Sequence, residues 1–528
     1  MAYSQSWLES NSARRCILVE ATVYDIVAAS NITKYFSTTG YLTTSSDVFY
    51  QPLVAGGLKF TESLALGDTL SMTYGDIELN NQNGELDLYL DPTKYIWVNG
   101  AIKIYYGDPT WVTYNIAQIH IDFLPIFDGV IVDLDSRSRT VVNIKLRDKL
   151  QRLNTAITES KLGPYGVWGG GGGGTGNGQT NIDTIIPIVF GEVFNMSPML
   201  IDPSTTEYYL SKDDIQGMID IRDNGVPITA YTITESTGKI KLTSPAVGQV
   251  TASVQGRKLS VTITSTTGTL STTYTNKIAS LIALIATQYG SATNRLSLAS
   301  NTDIDYANFN YFDTTYPQPV GIVITDRQNT LEVCNQLAGS ISGQLFCTKA
   351  GKLQILILGV PISTSLVASV AITTSDIINP TLSISSRSTV VASTKLGYAK
   401  NWTVQTGLVT AIPQQHKDSY ATEFLTTTVT NTTVQTNYKL NSDPVQKDTL
   451  LLVKSDAVAE ATRLNAFYNT IHTIYSFTGT ARLMSLQLGQ QVTLTHPRFG
   501  LSGTVTCQVI SLSPDWTKGL IDIEVITV

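Results

Sequence analysis

Reactive side chains are scarce in this sequence. Its 528 residues include four histidines and four cysteines, which leaves few ways to assemble a metal centre, a catalytic triad or a disulfide framework. Cys16, Cys334, Cys347 and Cys507 are spread too widely to form a CxxC pair, and the nearest two, Cys334 and Cys347, match no metal-site spacing. They read as inert, buried thiols in a reducing compartment. Charge is also sparse: charged residues make up 15% of the chain, with a net charge of −7. Nucleic-acid binders concentrate Lys and Arg, so this balance argues against a general one. It is compatible with a protein that DNA passes through without sticking. No apolar run is long enough to cross a membrane as a helix. The opening MAYSQSWLESNSARRC lacks a basic start followed by an apolar stretch, so no secretion signal is expected and synthesis in a cytoplasm is.

What the chain has in quantity is Thr, Ser, Val, Ile and Tyr, residues that favour pleated, half-buried surfaces over helices. Its length implies about three to four domains. Residues 1–158 read as a β-domain with a closing helix: a strand at Ile17–Asp25, an apolar patch at Phe49–Phe60, a hairpin turning at Asn83-Gly84, strands at Ala101–Tyr106 and Asp128–Asp135, and a strand-to-helix transition over Thr140–Ala156 with Leu146, Leu150 and Leu153 at helical spacing. Six consecutive glycines, Gly169–Gly174, lie in a stretch, 159–181, that reads as a loop or linker. A phosphate-cradling loop needs a following Lys-Ser/Thr and a strand–loop–helix frame, and both are missing.

Residues 182–272 read as a β-rich inserted module with hairpin turns at Asn224-Gly225 and Thr237-Gly238. Residues 273–365 read as a small α/β domain, with helices over Tyr274–Tyr289 and Asn329–Ile341 and a hairpin pivoting on Ala350-Gly351. Residues 366–528 read as a second β-domain, interrupted at about 405–450, with one helix at Asp456–Tyr468. The fold class is therefore mainly β with inserted α/β pieces, in several domains, and short frequent strands favour barrels or sandwiches.

Candidate chemistry is thin. His120 and Asp122 share one strand face at i, i+2 spacing, but no third ligand stands near, so a structural histidine is the better reading. His496 precedes Pro497 at a strand end; His416 and His472 have no companions. Asp213-Asp214 and the pair Asp303, Asp305 are the carboxylates weighed for glycosidic work, and neither sits in an aromatic cleft context. Asn301, Asp303 and Asp305 match a calcium loop only in part, without its Gly and bidentate Glu. Tyr306, Phe309, Tyr311, Phe312 and Tyr316 crowd a turn-rich stretch that could stack on sugars or, as the preferred reading, seal an interdomain seam. No catalytic, cofactor-binding or metal residue is assigned.

Several stretches resemble the tail-hub, or baseplate-hub, proteins of long-tailed bacteriophages and prophages. They are ARRCILVEATVYD, GDIELNNQNGELDLYL, IYYGD and FDGVIVDL near the N-terminus, then IPIVFGEVFNMSPMLID with EYYLSKDDIQGMIDIRDNGVPIT. Further on come LEVCNQLAGSISGQLFCTKAGKLQILIL, DAVAEATRLNAFY and SLQLGQQVTLTHPRFGLSGTVTCQVISL. The similarity spans most of the chain and consists of apolar positions and turns. It implies two tail-tube-like β-barrel domains, 1–158 and 366–528, and a homotrimer whose six barrels join a sixfold tube to a threefold tip and let DNA pass on ejection. Expected partners are further copies of itself, a tail tube or distal tail protein, spike, fibre or receptor-binding proteins, and the tape measure protein. The expected location is the virion tail tip. The alternative is a receptor-binding adhesin for host surface glycan, favoured by the Tyr/Phe-rich stretch but lacking fibre-like repeats; a wall hydrolase is the third reading.

Overall fold

The computed structural model describes residues 4–10, 13–43, 48–56, 58–65, 74–111, 122–163, 181, 183–202, 205–299, 301–440 and 444–528. The Gly169–Gly174 run and His120 lie outside the described residues. The chain is mostly β, as its composition implies, and forms two compact units. The first contains Met1–Arg152, Gln344–Ser388 and His472–Val528, and the second Leu153–Gly343 and Thr389–Ile471.

The first unit is organised by a 14-stranded sheet. Its main path runs Ser30–Ser37, Cys16–Asp25, Ala101–Gly107, Leu124–Ser138, Val141–Asp148, Tyr74–Asn80 and Lys59–Ser63. It then crosses to Val505–Asp515, Leu520–Thr527, Thr473–Gly479 and Ser383–Arg387. Alternation explains the N-terminal strand: in Cys16–Asp25 the side chains of Val19, Ala21 and Val23 are buried, and Asp25 ends the run by accepting from the amides of Val27 and Ala28. Strands from the first and last parts of the sequence meet where Ser63 pairs with Ser511 and Glu62 with Leu512. The amide of Leu64 donates to the carbonyl of Ile510 at 2.8 Å, continuing that join. A core runs from Leu8 and Val19 through Phe60 and Ile144 to Trp516 and Ile523, and Cys16, Leu18, Tyr41, Tyr50, Trp111 and Phe123 form a second cluster in the same unit. Among the described residues the path is open, with Ser30–Ser37 at one end and Ser383–Arg387 at the other.

The Asn83-Gly84 hairpin expected from the sequence does not form. Asn81 accepts from the amide of Leu86 at 2.9 Å and donates to Asp87 at 2.7 Å, which folds Asp87–Leu90 into a 3-10 turn. The strand Tyr74–Asn80 finds its partners instead in Val141–Asp148 and Lys59–Ser63. The helix expected near Leu150 is a single 3-10 turn, Lys149–Leu153, tied at its start by Asp148 accepting from the Leu150 amide.

The second unit contains a five-stranded sheet (Val226–Pro227, Ile215–Asp223, Val250–Arg257, Ile188–Met196, Gly321–Ile324) and a four-stranded one (Met199–Asp202, Glu207–Tyr209, Lys239–Leu242, Tyr231–Thr234). A three-stranded sheet combines Leu425–Thr430, Ser393–Tyr398 and Gln446–Asp448. The hairpin turns at Asn224-Gly225 and Gly238 are as expected, with Gly238 in the left-handed region. Gly191 and Gly321 sit opposite one another in adjacent strands. A Cβ on either would overlap a main-chain carbonyl, of Val320 or Glu192 respectively, so close strand approach requires glycine at both. The helix Ile278–Gln288 is apolar nearly all round and is buried from Ile278 to Thr287, as such a helix must be. Thr330–Gly339 and Lys454–Tyr468 are the other helices expected from spacing.

Candidate functional site

The residues singled out in the sequence do not converge. All four cysteines are free and buried, on separate elements. Burial raises each thiol pKa, that of Cys507 to about 12, so none is a ready thiolate. His472 is buried, its Nδ1 2.7 Å from the Thr527 carbonyl. The ring of His496 accepts from the amide of Arg498 in a turn, and His416 is exposed on the short helix Gln414–Tyr420. Among the described residues no group of three potential metal ligands occurs.

Asn301, Asp303 and Asp305 organise a turn. Asp303 accepts from the amide of Ser297 at 2.8 Å, Asp305 caps a helix by accepting from Asn308 at 3.1 Å, and Asn301 accepts from Tyr306. The aromatic stretch that follows is helical, Tyr306–Thr315, rather than a loop. Tyr306, Phe309 and Phe312 are buried in the second unit, and Phe312 stacks on Tyr316 with ring centroids 5.3 Å apart. The Asp305 cap and the i, i+3, i+6 spacing of these rings were the overlooked helical signals.

Two polar constellations emerge instead, one in each unit. In the first, Lys349 reaches from the turn after Gly343–Cys347 and donates to the carbonyls of Met484 and Leu486, at 3.0 and 2.8 Å. Its ammonium lies 5.7 Å from the Trp516 ring centre. Glu62, on the strand that joins the two halves of the sheet, is 4% exposed. Burial pushes the Glu62 carboxyl up and the Lys349 ammonium down, and the charge of each partly offsets the shift of the other. Lys349 thus ties the turn after Gly343–Cys347 to the Met484–Leu486 stretch, and its charge is felt by the buried Glu62.

In the second unit, a polar cleft of about 750 Å³ opens beside the end of the helix Ile278–Gln288. Tyr289 donates to Asp213 at 2.7 Å, and burial, reinforced by the Asp213 charge, holds the phenol well above its ordinary pKa. Arg257 pairs with Asp214, Arg295 donates to the Gly290 carbonyl at 3.2 Å, and Arg327 pairs with Glu159 at 3.2 Å. The two neighbouring aspartates thus take different partners and are not arranged as an acid–base pair across a cleft.

No protein-family model matches the sequence, and no curated protein matches it. Solved structures do. The 43 kDa tail protein of prophage MuSo2 from Shewanella oneidensis is 11% identical, over 97% of this chain and 98% of that one, with a TM-score of 0.39. The prophage tail protein gp18 of Listeria monocytogenes is 8% identical, over 97% and 94%, with a TM-score of 0.38. An E. coli component of the type VI secretion system, itself similar in structure to the tail proteins gp27 and gp5 of bacteriophage T4, is 7% identical over 89% and 73%, with a TM-score of 0.32. These neighbours are tail and tail-like proteins, the class that the sequence resembles. At such scores the functional reading rests on the chain's own features.

Those features include surface as well as interior. Ile26, Val27, Ile96 and Val98 are exposed at one end of the large sheet, where Tyr24 pairs with Ile96 and the Ile26 amide donates to the Lys94 carbonyl. Val27 is 81% exposed at the tip of the turn between Cys16–Asp25 and Ser30–Ser37. A contiguous apolar end beside an open strand is a surface suited to docking.

Proposed function

We propose that the chain is a structural hub of a bacteriophage tail tip or baseplate, acting by assembly rather than by bond chemistry. The observation that carries this reading is the large sheet of the first unit, in which strands from the first and last parts of the sequence are continuous. Its path ends in Ser383–Arg387 and in Ser30–Ser37, the latter bonded to Gln51 only at its Tyr35–Ser37 end. Open edges offer rows of main-chain donors and acceptors to a neighbour. Because the two ends differ, edge-to-edge contact between copies is head-to-tail, and such contacts generate rings when the rotation closes.

The proposed ring has three copies. Each contributes two tube-like barrel domains, residues 1–158 and 366–528, the latter interrupted at about 405–450. The stretch 159–181 serves as a Gly-rich linker, 182–272 as an inserted β-module and 273–365 as a small α/β domain. Six barrels from three chains reconcile a sixfold tube with a threefold tip. The tube or distal tail protein and the tape measure protein are the proposed neighbours on one side, and spike, fibre or receptor-binding proteins on the other. A chain with 15% charged residues and a net charge of −7 suits a passage that does not retain phosphates as DNA leaves. Opening by movement of domains would carry the function.

Negative-stain electron microscopy of the purified chain tests the reading. Three-lobed rings are expected. Single asymmetric particles, or a cleared band in a peptidoglycan zymogram, would defeat it.

A further inference from the structure

The cleft in the second unit has chemistry specific enough to name a ligand class. We infer that it binds an acidic saccharide, a hydroxyl-rich chain bearing carboxylate or phosphate. Four cationic side chains, Lys212, Arg257, Arg295 and Arg327, line it against two carboxylates, Glu159 and Asp213. That is a local positive excess in a chain whose net charge is −7. Its size, about 750 Å³, falls within the roughly 300–1,000 Å³ of ligand sites.

Arg257 supplies the anchor. Its guanidinium lines the cleft, pairs with Asp214 and presents a planar fork of donors suited to a carboxylate or phosphate. An incoming anionic oxygen would take a charge-assisted hydrogen bond from that fork. Arg327 supplies an adaptable second contact. Its side chain is 72% exposed and its Glu159 partner 73%, so their ion pair contributes little and exchanges readily for a ligand. Uncharged amides and hydroxyls, among them Asn154, Gln288 and Asn329, complete the lining with groups suited to sugar hydroxyls.

The acid group is required because the aromatic contribution is already committed. Tyr289 is the single aromatic residue lining the cleft among the described residues. Its ring meets Phe190 edge-on at 4.8 Å and its hydroxyl is given to Asp213. Recognition by stacking, the usual means of holding a neutral sugar, is therefore weak here.

Titration calorimetry of the full chain with a galacturonate trimer, maltotriose and inorganic phosphate is the test. The uronate trimer is expected to bind at least about tenfold more tightly than the neutral trimer and than phosphate alone, the scale of one charge-assisted hydrogen bond. Arg327→Gln, at an exposed position, is expected to weaken the uronate about tenfold without changing the melting temperature. Arg257→Lys keeps the charge, loses the planar fork of donors and is expected to weaken it likewise. Absence of uronate binding, equal binding of maltotriose, or phosphate binding as tight as the uronate would each overturn the inference. The mass of the assembly is unaffected by any of these outcomes, so the hub reading stands or falls separately.

Discussion

Lys349→Met would remove the charge that compensates Glu62 in the core of the first unit. In the native protein the ammonium satisfies two carbonyls, of Met484 and Leu486, and lowers the cost of an ionised carboxylate that is 4% exposed. Methionine preserves most of the apolar stem and none of the charge. Leaving a buried carboxylate without its compensating charge costs about 3–5 kcal/mol. With about 2–4 °C of melting temperature per kcal/mol for a unit of this size, a drop of roughly 6–20 °C is expected near neutral pH.

The pH dependence separates lost charge compensation from lost packing. Burial raises the Glu62 carboxyl above its unfolded value of about 4.3. Its contribution is therefore most favourable below that pH and is lost as pH rises through the folded value. Lys349 is lowered by burial, so its contribution is favourable above the unfolded value of about 10.4 and is lost as pH falls through its folded value. The deficit of the variant relative to the native chain is then greatest at pH 7–8. It shrinks towards pH 4, by up to about 1.4 kcal/mol per pH unit. Glu62→Gln combined with Lys349→Met is expected to regain most of the loss, since the amide leaves no buried charge to compensate. Thermal melts followed by tryptophan fluorescence suit the measurement, because Trp516 is fully buried beside Lys349. A deficit that is flat between pH 4 and 8, or a double variant less stable than the single one, would refute the reasoning.

Other positions give simpler expectations. The four thiols, all buried and all raised in pKa, should stay unreactive towards a thiol reagent in the folded chain and react together on unfolding; rapid labelling of the folded chain would contradict this. Trp516→Ala should cost about 3–5 kcal/mol in denaturant titration. Trp516→Phe should cost much less, because the indole N–H is buried without a partner to lose. Gly321→Ala should destabilise the second unit by about 2–4 kcal/mol through its overlap with the Glu192 carbonyl, read as a lower melting transition. Val27→Asp should leave melting unchanged at an 81% exposed site and weaken self-association in sedimentation, if the apolar end of the sheet docks copies as proposed.

Local features were legible in the sequence. The helices Ile278–Gln288, Thr330–Gly339 and Lys454–Tyr468 follow their apolar spacing, and the turns at Asn224-Gly225 and Gly351 follow glycine's access to the left-handed region. Asn83-Gly84 misled because the Asn81 side chain captures the next residues before a return strand can pair. The helix at Tyr306–Thr315 was obscured by aromatic residues of low helical propensity, which tertiary burial overrides. The continuity of the large sheet, the electrostatic influence of Lys349 on Glu62 and the Arg257 cleft depend on residues far apart in sequence. Nothing in local spacing records that Ser63 pairs with Ser511, or that Arg257 meets Asp214 beside Tyr289.

Assembly around an axis is the claim on which the functional account turns, and sedimentation equilibrium of the purified chain measures it directly. The account predicts a species of three times the 57.3 kDa chain mass that persists on dilution. A single species of 57.3 kDa at every concentration would contradict it.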